Sequence, residues 1–336
     1  MGYSSQAGAV LFASQPTADT FPAGFGTAHT AMKMRSGNLS PNRDLLVTDP
    51  EIGGSRDTAD AYLGGVSWSG DYEFYVRLES VTSLLRAVLG SAASVTTTGV
   101  TTHTITPSDS STLPFLAVEE KIGSGLEVYR YTDVVANTFH LESDANGYLM
   151  GSSGLIARKQ TAGITPTASP MWDNSPLIVG TNVAITYNSV SLPAKSFSLD
   201  INNNFEDDDF RLGSFYIGDL TAKSREVNGS FSIRPNDSLL WRQAVYGGSA
   251  LTAPGGVTVK SPLVITCQTY EDIIAGTPAT KGSIVITIPN VALEPYGLEP
   301  SGDDIIENDV SFRALRPAVG TAIASVVVKS AQATIR

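Results

Sequence analysis

Residues 66–90 read VSWSGDYEFYVRLESVTSLLRAVLG, and the spacing of their apolar side chains changes half-way along. Up to Val76 apolar and polar residues alternate, which is the period of a β-strand with one buried face. The side chains on that face are Trp68, Tyr72, Phe74 and Val76. After Val76 the spacing becomes helical, with apolar residues at Val81, Leu84, Leu85, Val88 and Leu89. Ser80 is the predicted N-cap and Gly90 the predicted stop, so a strand is followed directly by one short helix.

A strand and a short helix of the same kind recur in the second half of the chain. Residues 227–233 alternate, and residues 238–246 form an apolar helical segment between Asp237 and Gly247. The apolar faces of the two helices are predicted to lie in the core through Leu84, Leu85, Val88, Leu239 and Leu240. Most of the remaining sequence alternates in the same way as residues 66–76, so the chain is predicted to be mainly β.

The order of elements around the two helices predicts an internal repeat. A short strand, an acid-rich polar loop, a longer strand and a single helix follow one another in each half. Residues 1–165 are then a first domain with an N-terminal arm, residues 166–184 a Pro- and Thr-rich linker, and residues 185–336 a second domain. Each domain is predicted to be a β-sandwich or partial barrel with one flanking helix.

The two acid-rich loops, at residues 42–60 and 203–220, are the leading candidates for contacts between copies of the chain. Both are long and polar, and both occupy the same place in the repeat. Their acidic residues are Asp44, Asp49, Glu51, Asp57, Glu206, Asp207, Asp208 and Asp209. The run Glu206–Asp209 and the pair Asp303–Asp304 offer oxygen ligands for a hard cation, but neither has EF-hand spacing, which favours solvated or interface loops.

The charge balance restricts what the chain binds. Charged residues make up only 16% of the 336 residues, and the formal net charge is −11. A protein that grips nucleic acid neutralises phosphates with Lys and Arg. This chain therefore either never meets DNA or meets it without binding tightly; a third interpretation is that the charge only keeps the protein soluble.

No arrangement of residues indicates catalysis or a cofactor. The three histidines, His29, His103 and His140, are not at metal-ligand spacing, and no glycine pair is followed by a P-loop Lys and Ser/Thr. Cys267 lies in an apolar run and is predicted to be a buried small side chain. No signal peptide or membrane span is expected, which predicts a protein made in the cytoplasm.

One stretch of the sequence resembles a known family. Residues 102–107 (THTITP) followed by residues 113–119 (LPFLAVE) are similar to the THTFTP…LPSLTVE stretch of the tail tube proteins of long, non-contractile-tailed bacteriophages. Residues 84–90 resemble that family's LL-x-x-x-LG helix, and residues 131–139 its Y-x-G-x-x-V-N-S-L strand. Asp133 stands where the family usually has Gly, which leaves the local turn undetermined. The resemblance covers residues 20–165, and the second half matches mainly through the repeat.

The resemblance implies a structural subunit of the virion tail and no enzyme. Subunits of the family form rings in which neighbouring sheets join edge to edge, and the rings stack helically into a hollow conduit for DNA ejection. Partners would be other copies of the chain, the tape measure protein, the tail terminator and tip proteins, and passing double-stranded DNA. Because single-domain relatives resemble hexamers, a chain with two such domains implies a homotrimer in preference to a hexamer. The alternative is a receptor-binding β-sandwich on the phage surface.

Overall fold

A computed structural model describes residues 4–274, 280–298, 305–318 and 320–336, and their structure is mainly β. The first half contains β1 (Ala9–Gln15), β2 (Thr30–Met32), β3 (Met34–Gly37), β4 (Ser40–Val47), β5 (Ala61–Tyr75), α1 (Leu78–Leu89), β6 (Gly90–Thr97), β7 (Val100–Pro107), β8 (Phe115–Ile122), β9 (Glu127–Asp144) and β10 (Met150–Thr161). The second half contains β11 (Ile178–Tyr187), β12 (Val190–Leu192), β13 (Ala194–Asn202), β14 (Glu226–Ile233), α2 (Leu239–Tyr246), β15 (Ser261–Ile274), β16 (Thr280–Leu293), β17 (Asn308–Ala314) and β18 (Ser325–Ser330). Two short 3₁₀ helices cover Ser5–Ala7 and Phe25–Thr27. The predicted mainly β class, with two short helices, is confirmed.

Strands in the two halves pair in the same order. In the first half antiparallel ladders run β1–β8–β9–β10–β5, with β3 and β4 along the other edge of β5. In the second half they run β11–β15–β16–β17–β14–β13. In each run the strand next to the last is followed by a helix along the chain: α1 follows β5 and α2 follows β14.

The two halves are joined by backbone hydrogen bonds into one continuous network of strands. β13 pairs antiparallel with β9 along residues 196–202 and 138–144. β18 pairs antiparallel with β7 along residues 326–330 and 101–105. One cluster of buried apolar side chains accordingly extends through both halves, including Phe139 and Leu141 of β9 and Leu199 of β13.

Helix α1 begins two residues before the predicted N-cap. Arg77 occupies the N-cap position and its side chain makes no capping hydrogen bond, while Ser80 lies inside the first turn. The free N–H groups of this turn are satisfied from a distant segment instead. The Asp173 carboxylate accepts from Ser80 N at 2.7 Å, and Ser175 Oγ accepts from Leu78 N at 2.8 Å. Gly90 ends the helix in a left-handed conformation, with φ 103°.

The segment predicted as a linker is held against the first half along its length. The carboxylate of Glu119 accepts a hydrogen bond from Thr167 N at 2.7 Å, and Met171 N donates to His29 Nε2 at 2.9 Å. Asp173 is fully buried. The last residues of this segment belong to β11, which begins at Ile178.

The helix residues predicted to be core are not equivalent. Leu84, Leu85 and Val88 are buried in α1. In α2, Leu240 packs against the main cluster, whereas Leu239 is 50% exposed. The prediction that Leu239 is a core residue is therefore wrong. Leu239 is the first residue of a short helix whose buried residues are Gln243 and Ala244.

Candidate subunit interface

The junction between the halves is an edge-to-edge strand pairing with a polar pair at its surface. Leu199 lies opposite Leu141 and Asp200 opposite His140. His140 Nδ1 is 2.6 Å from Asp200 Oδ1, and His140 Nε2 is 3.4 Å from Glu142 Oε2. The hydrogen bond with Asp200 raises the pKa of His140 above its ordinary value, although partial burial opposes the shift. The junction therefore joins two strand edges through both main-chain and side-chain contacts.

Residues 203–225, called here the docked segment, continue from β13 across the first half. Asn203 is buried and donates from Nδ2 to the carbonyl oxygens of Val88 and Ala136, at 3.0 and 3.1 Å. Further along, Val66 N donates to Phe215 O at 2.7 Å, and Arg158 Nε donates to Ile217 O at 3.0 Å. The docked segment is thereby fixed to α1, β5, β9 and β10 of the first half.

Apolar side chains seal this contact. Phe205, Ile217 and Leu220 of the docked segment form a small buried cluster with Leu113, Val135 and Ile156 of the first half. Beside it, Tyr216 lies against Trp68, with ring centroids 6.3 Å apart. Main-chain hydrogen bonds, side-chain hydrogen bonds and a buried apolar cluster together make this an interface between the halves.

The corresponding part of the first half has no such cover. Residues 44–64, called here the projecting hairpin, comprise the outer parts of β4 and β5 and the turn between them. Every residue of β4 is exposed, and within the described residues β4 pairs only with β5. Its exposed apolar side chains are Leu45, Leu46, Val47, Ile52, Tyr62 and Leu63. Exposed apolar side chains in this number make the projecting hairpin a candidate surface for contact with another protein.

A family model described as "Phage tail tube protein" matches residues 5–314. The chain belongs to the phage tail tube protein family. Comparison with curated proteins finds no match for it. A tail tube protein is a structural component of the virion tail that assembles into a tube, and the family is not one of enzymes.

The acidic residues predicted as contacts of this tail tube protein occupy different settings. Asp44 lies in β4. The predicted loop at residues 42–60 is wrong for residues 42–47, because these residues lie in a strand that pairs with β5. Asp49, Glu51 and Asp57 are exposed in the turn of the projecting hairpin.

The second group of predicted contact residues lies in the docked segment. Glu206 Oε1 is 3.6 Å from Lys223 Nζ, and Asp209 Oδ2 is 2.6 Å from Arg211 Nη2. Asp207 and Asp208 are exposed. Part of this acidic run is therefore engaged within the chain, and the part open to another copy is Asp207 and Asp208.

His29 and His103 are held by hydrogen bonds inside the fold, and Cys267 is buried. His29 lies against Phe25 O and Met171 N. His103 is buried between Ser94 and the backbone of Gln332, and burial lowers its pKa. Cys267 is buried, and burial raises its thiol pKa to about 12.

No group of three or more His, Cys, Asp or Glu side chains suited to a metal occurs among the residues that the structure describes. Asp303 and Asp304 lie outside those residues. Within the described chain, none of the helices is both long and apolar enough to cross a membrane.

Several interface residues were not singled out from the sequence. Asn203, Phe205 and Ile217 lie in a segment whose acidic run dominates its appearance, and only the three-dimensional contact shows their role. Leu45, Leu46 and Val47 do carry a signal, because three consecutive apolar residues interrupt an otherwise polar segment.

Proposed function

We propose that this tail tube protein forms closed rings of three chains, and that the rings stack helically into a hollow conduit for DNA ejection. The observation that carries the proposal is the pairing of β9 with β13. It joins two halves that have the same strand order, in the edge-to-edge manner that a ring requires between neighbours. Each half then supplies one ring position, so that three chains supply six.

Two strand edges support closure of such a ring. Within the described residues, β3 pairs only with β5, which leaves its other edge open. Residues 292–294, at the end of β16, bond to β17 on one side. On the other side the pairing of β15 with β16 extends no further than Val291, which leaves this edge of residues 292–294 open within the described residues. Open edges are templates for pairing with another chain. We infer that these two edges meet between neighbouring chains, as β9 and β13 meet within one.

Stacking of rings is assigned to the exposed acidic residues. Asp49, Glu51 and Asp57 lie in the turn of the projecting hairpin, where they can reach a ring above or below. Asp207 and Asp208 are exposed on the docked segment. Contacts through long polar loops suit a joint between rings that form first and stack later.

The net charge of −11 supports passage of DNA without retention. A wall that presents few cations to the phosphates releases few counterions and binds weakly. The tape measure protein and the tail terminator and tip proteins are the further partners expected from the resemblance. Before assembly the chain is expected in the host cytoplasm.

Negative-stain electron microscopy of the purified protein tests the proposal. Hollow rods of uniform width are the expected result. Particles that stay compact and isolated at concentrations well above those of tail assembly would contradict the tube. If such particles also bind host-cell receptors, the receptor-binding module is favoured.

A further inference from the structure

A polar cavity of about 610 Å³ lies between the docked segment and the end of β7. Lys223 and Arg225 of the docked segment line it, and Arg316, which follows β17, contributes a third cation. Among the described residues that line the cavity, Asp109 is the one carboxylate. Three cations and one acid meet here although the whole chain has a net charge of −11, so the cavity is a local positive site.

The guanidinium group of Arg225 is half-buried and is held in place by neutral acceptors. Its Nε donates to Asn203 Oδ1, and its Nη2 donates to the carbonyl oxygen of Ser108, both at 3.0 Å. Asn203 is itself fixed, because its amide group donates to the carbonyl oxygens of Val88 and Ala136. Arg225 Nη1 has no hydrogen-bond partner among the described residues. The guanidinium group is therefore oriented in advance, with donors left for a ligand in the cavity.

The charge of Arg225 is not balanced by an ion pair within the described part of the chain. The nearby Asp109 carboxylate favours the charged form of Arg225, but it pairs with Arg316 Nη2 at 2.7 Å. Burial has the larger effect and lowers the pKa of Arg225. Partial removal from water disfavours a charge that lacks a partner of opposite sign. An anion in the cavity would supply that partner.

Two serine hydroxyl groups that line the cavity have protons to donate. Ser108 Oγ accepts from Ser110 N at 3.2 Å, and Ser110 Oγ accepts from Thr112 N at 3.1 Å. Since each hydroxyl acts as an acceptor in these turns, its own hydrogen stays available for a further acceptor. Hydroxyl donors beside guanidinium groups suit an oxyanion with several oxygen atoms, which accepts strong charge-assisted hydrogen bonds.

We propose that this cavity binds a phosphate group, with Arg225 as its main donor, Lys223 and Arg316 as further cations, and Ser108 and Ser110 as hydroxyl donors. Three cations and one acid leave two positive charges, which match a phosphate better than a singly charged carboxylate. The cavity is larger than a phosphate ion, so inorganic phosphate and a small phosphomonoester both fit. The inference is independent of the proposed ring, because every group that it uses lies within one chain.

The position of the cavity gives such a ligand a structural effect. Ser108 belongs to the first half and Arg225 to the docked segment of the second half, so a phosphate bound to both would join the halves. A ligand that binds only the folded chain stabilises it in proportion to the logarithm of its concentration. Phosphate is therefore expected to strengthen the contact of the docked segment with the first half.

Isothermal titration calorimetry of the full chain with inorganic phosphate tests the proposal, with sodium chloride at equal ionic strength as the reference. The wild-type protein should bind phosphate saturably, with a Kd of roughly 1 mM or below. Acetate should bind at least about tenfold more weakly, since it carries one charge and two oxygen atoms. Glycerol 3-phosphate is the second phosphate ligand: tighter binding than inorganic phosphate identifies a phosphomonoester as the ligand, and weaker binding identifies the free ion.

Three variants locate the binding. Arg225→Gln should weaken phosphate binding at least about tenfold, because the charged donor is lost. Lys223→Gln, whose side chain is exposed and which should fold normally, should weaken it about threefold. Arg313→Gln is the matched control, because Arg313 is an exposed cation outside the cavity and makes no ion pair with any described residue; it should bind as the wild type does.

Circular dichroism checks that each variant is folded. Absence of saturable phosphate binding by the folded wild-type protein would overturn the proposal, and so would acetate binding as tight as that of phosphate. Equal weakening by Lys223→Gln and Arg313→Gln would also overturn it, since the anion would then respond only to the overall charge of the chain.

Discussion

Asp173 holds the segment between the two halves to the start of α1, and its replacement by Ala should destabilise the protein strongly. Its carboxylate accepts four hydrogen bonds: two from Ser80, N and Oγ at 2.7 Å each, and two from Ser175, N at 2.9 Å and Oγ at 2.6 Å. The hydroxyls can turn to other acceptors, but the two N–H groups cannot. Leaving a buried donor without a partner costs about 1–3 kcal/mol, and loss of a helix cap about 1 kcal/mol. The free energy of unfolding should therefore fall by about 2–4 kcal/mol, the sum of these two terms.

Urea denaturation followed by tryptophan fluorescence measures this loss. Asp109→Ala is the matched control, because Asp109 pairs at 2.7 Å with Arg316 and both side chains are exposed. An exposed ion pair contributes at most about 1 kcal/mol. If Asp173→Ala lost no more than this control, the segment would be a loose tether, and the fixed relation of the two halves would have no basis in this contact.

Four further outcomes are expected. Burial raises the pKa of Glu120 to about 7 from 4.5, so the unfolded carboxyl ionises first and wild-type stability should fall as the pH rises between these two values. Urea titrations at pH 5 and pH 8 measure this fall, and Glu120→Gln should remove up to about 3 kcal/mol of it. The pKa of His140 is raised chiefly by Asp200, so the stability it adds is present at pH 6 and lost as pH rises through the raised pKa; His140→Gln should flatten this change in melting temperature. Leu85→Asp should unfold the first half, since it buries an unpaired carboxylate at a cost of several kcal/mol, whereas the half-exposed Leu239→Asp should remain folded by circular dichroism. A gel shift at low salt should show no tight binding of double-stranded DNA, and a retained complex would contradict the charge argument.

Local pattern was enough to predict α1 but not its beginning. Leu84, Leu85 and Val88 repeat at helical spacing and are buried. The first turn is stabilised by Asp173 and Ser175, which lie far away in sequence, so no local signal marks the helix start at Leu78. The Pro- and Thr-rich composition of the same segment predicts a linker, and it does not reveal the contacts with Glu119 and His29, which also lie far away in sequence.

Polar strands were the least predictable elements. Residues 42–47 belong to β4 through main-chain pairing with β5, although their side chains are exposed and show no alternation to one buried face. At Asp133 the family pattern has Gly, and the structure shows how an aspartate is accommodated there. It adopts the left-handed conformation with φ 56°, where glycine is favoured, and its buried carboxylate accepts from Gln15 Nε2 at 2.6 Å.

The candidate interface could be predicted only in outline. The repeat and the acidic segments direct attention to residues 42–60 and 203–220, which overlap the projecting hairpin and the docked segment. What separates residues 203–225 from residues 44–64 is the burial of Phe205, Ile217 and Leu220 against the first half, which depends on the arrangement of strands and not on composition.

Helical reconstruction of the assembled tail by electron cryomicroscopy tests the central claim most directly, because it counts chains in each ring. Three copies of the full chain should close one ring, with first and second halves alternating around it and the β9–β13 pairing repeated in kind between chains. Six copies of the full chain per ring would contradict the account, since the second half would then lie outside the ring wall as decoration.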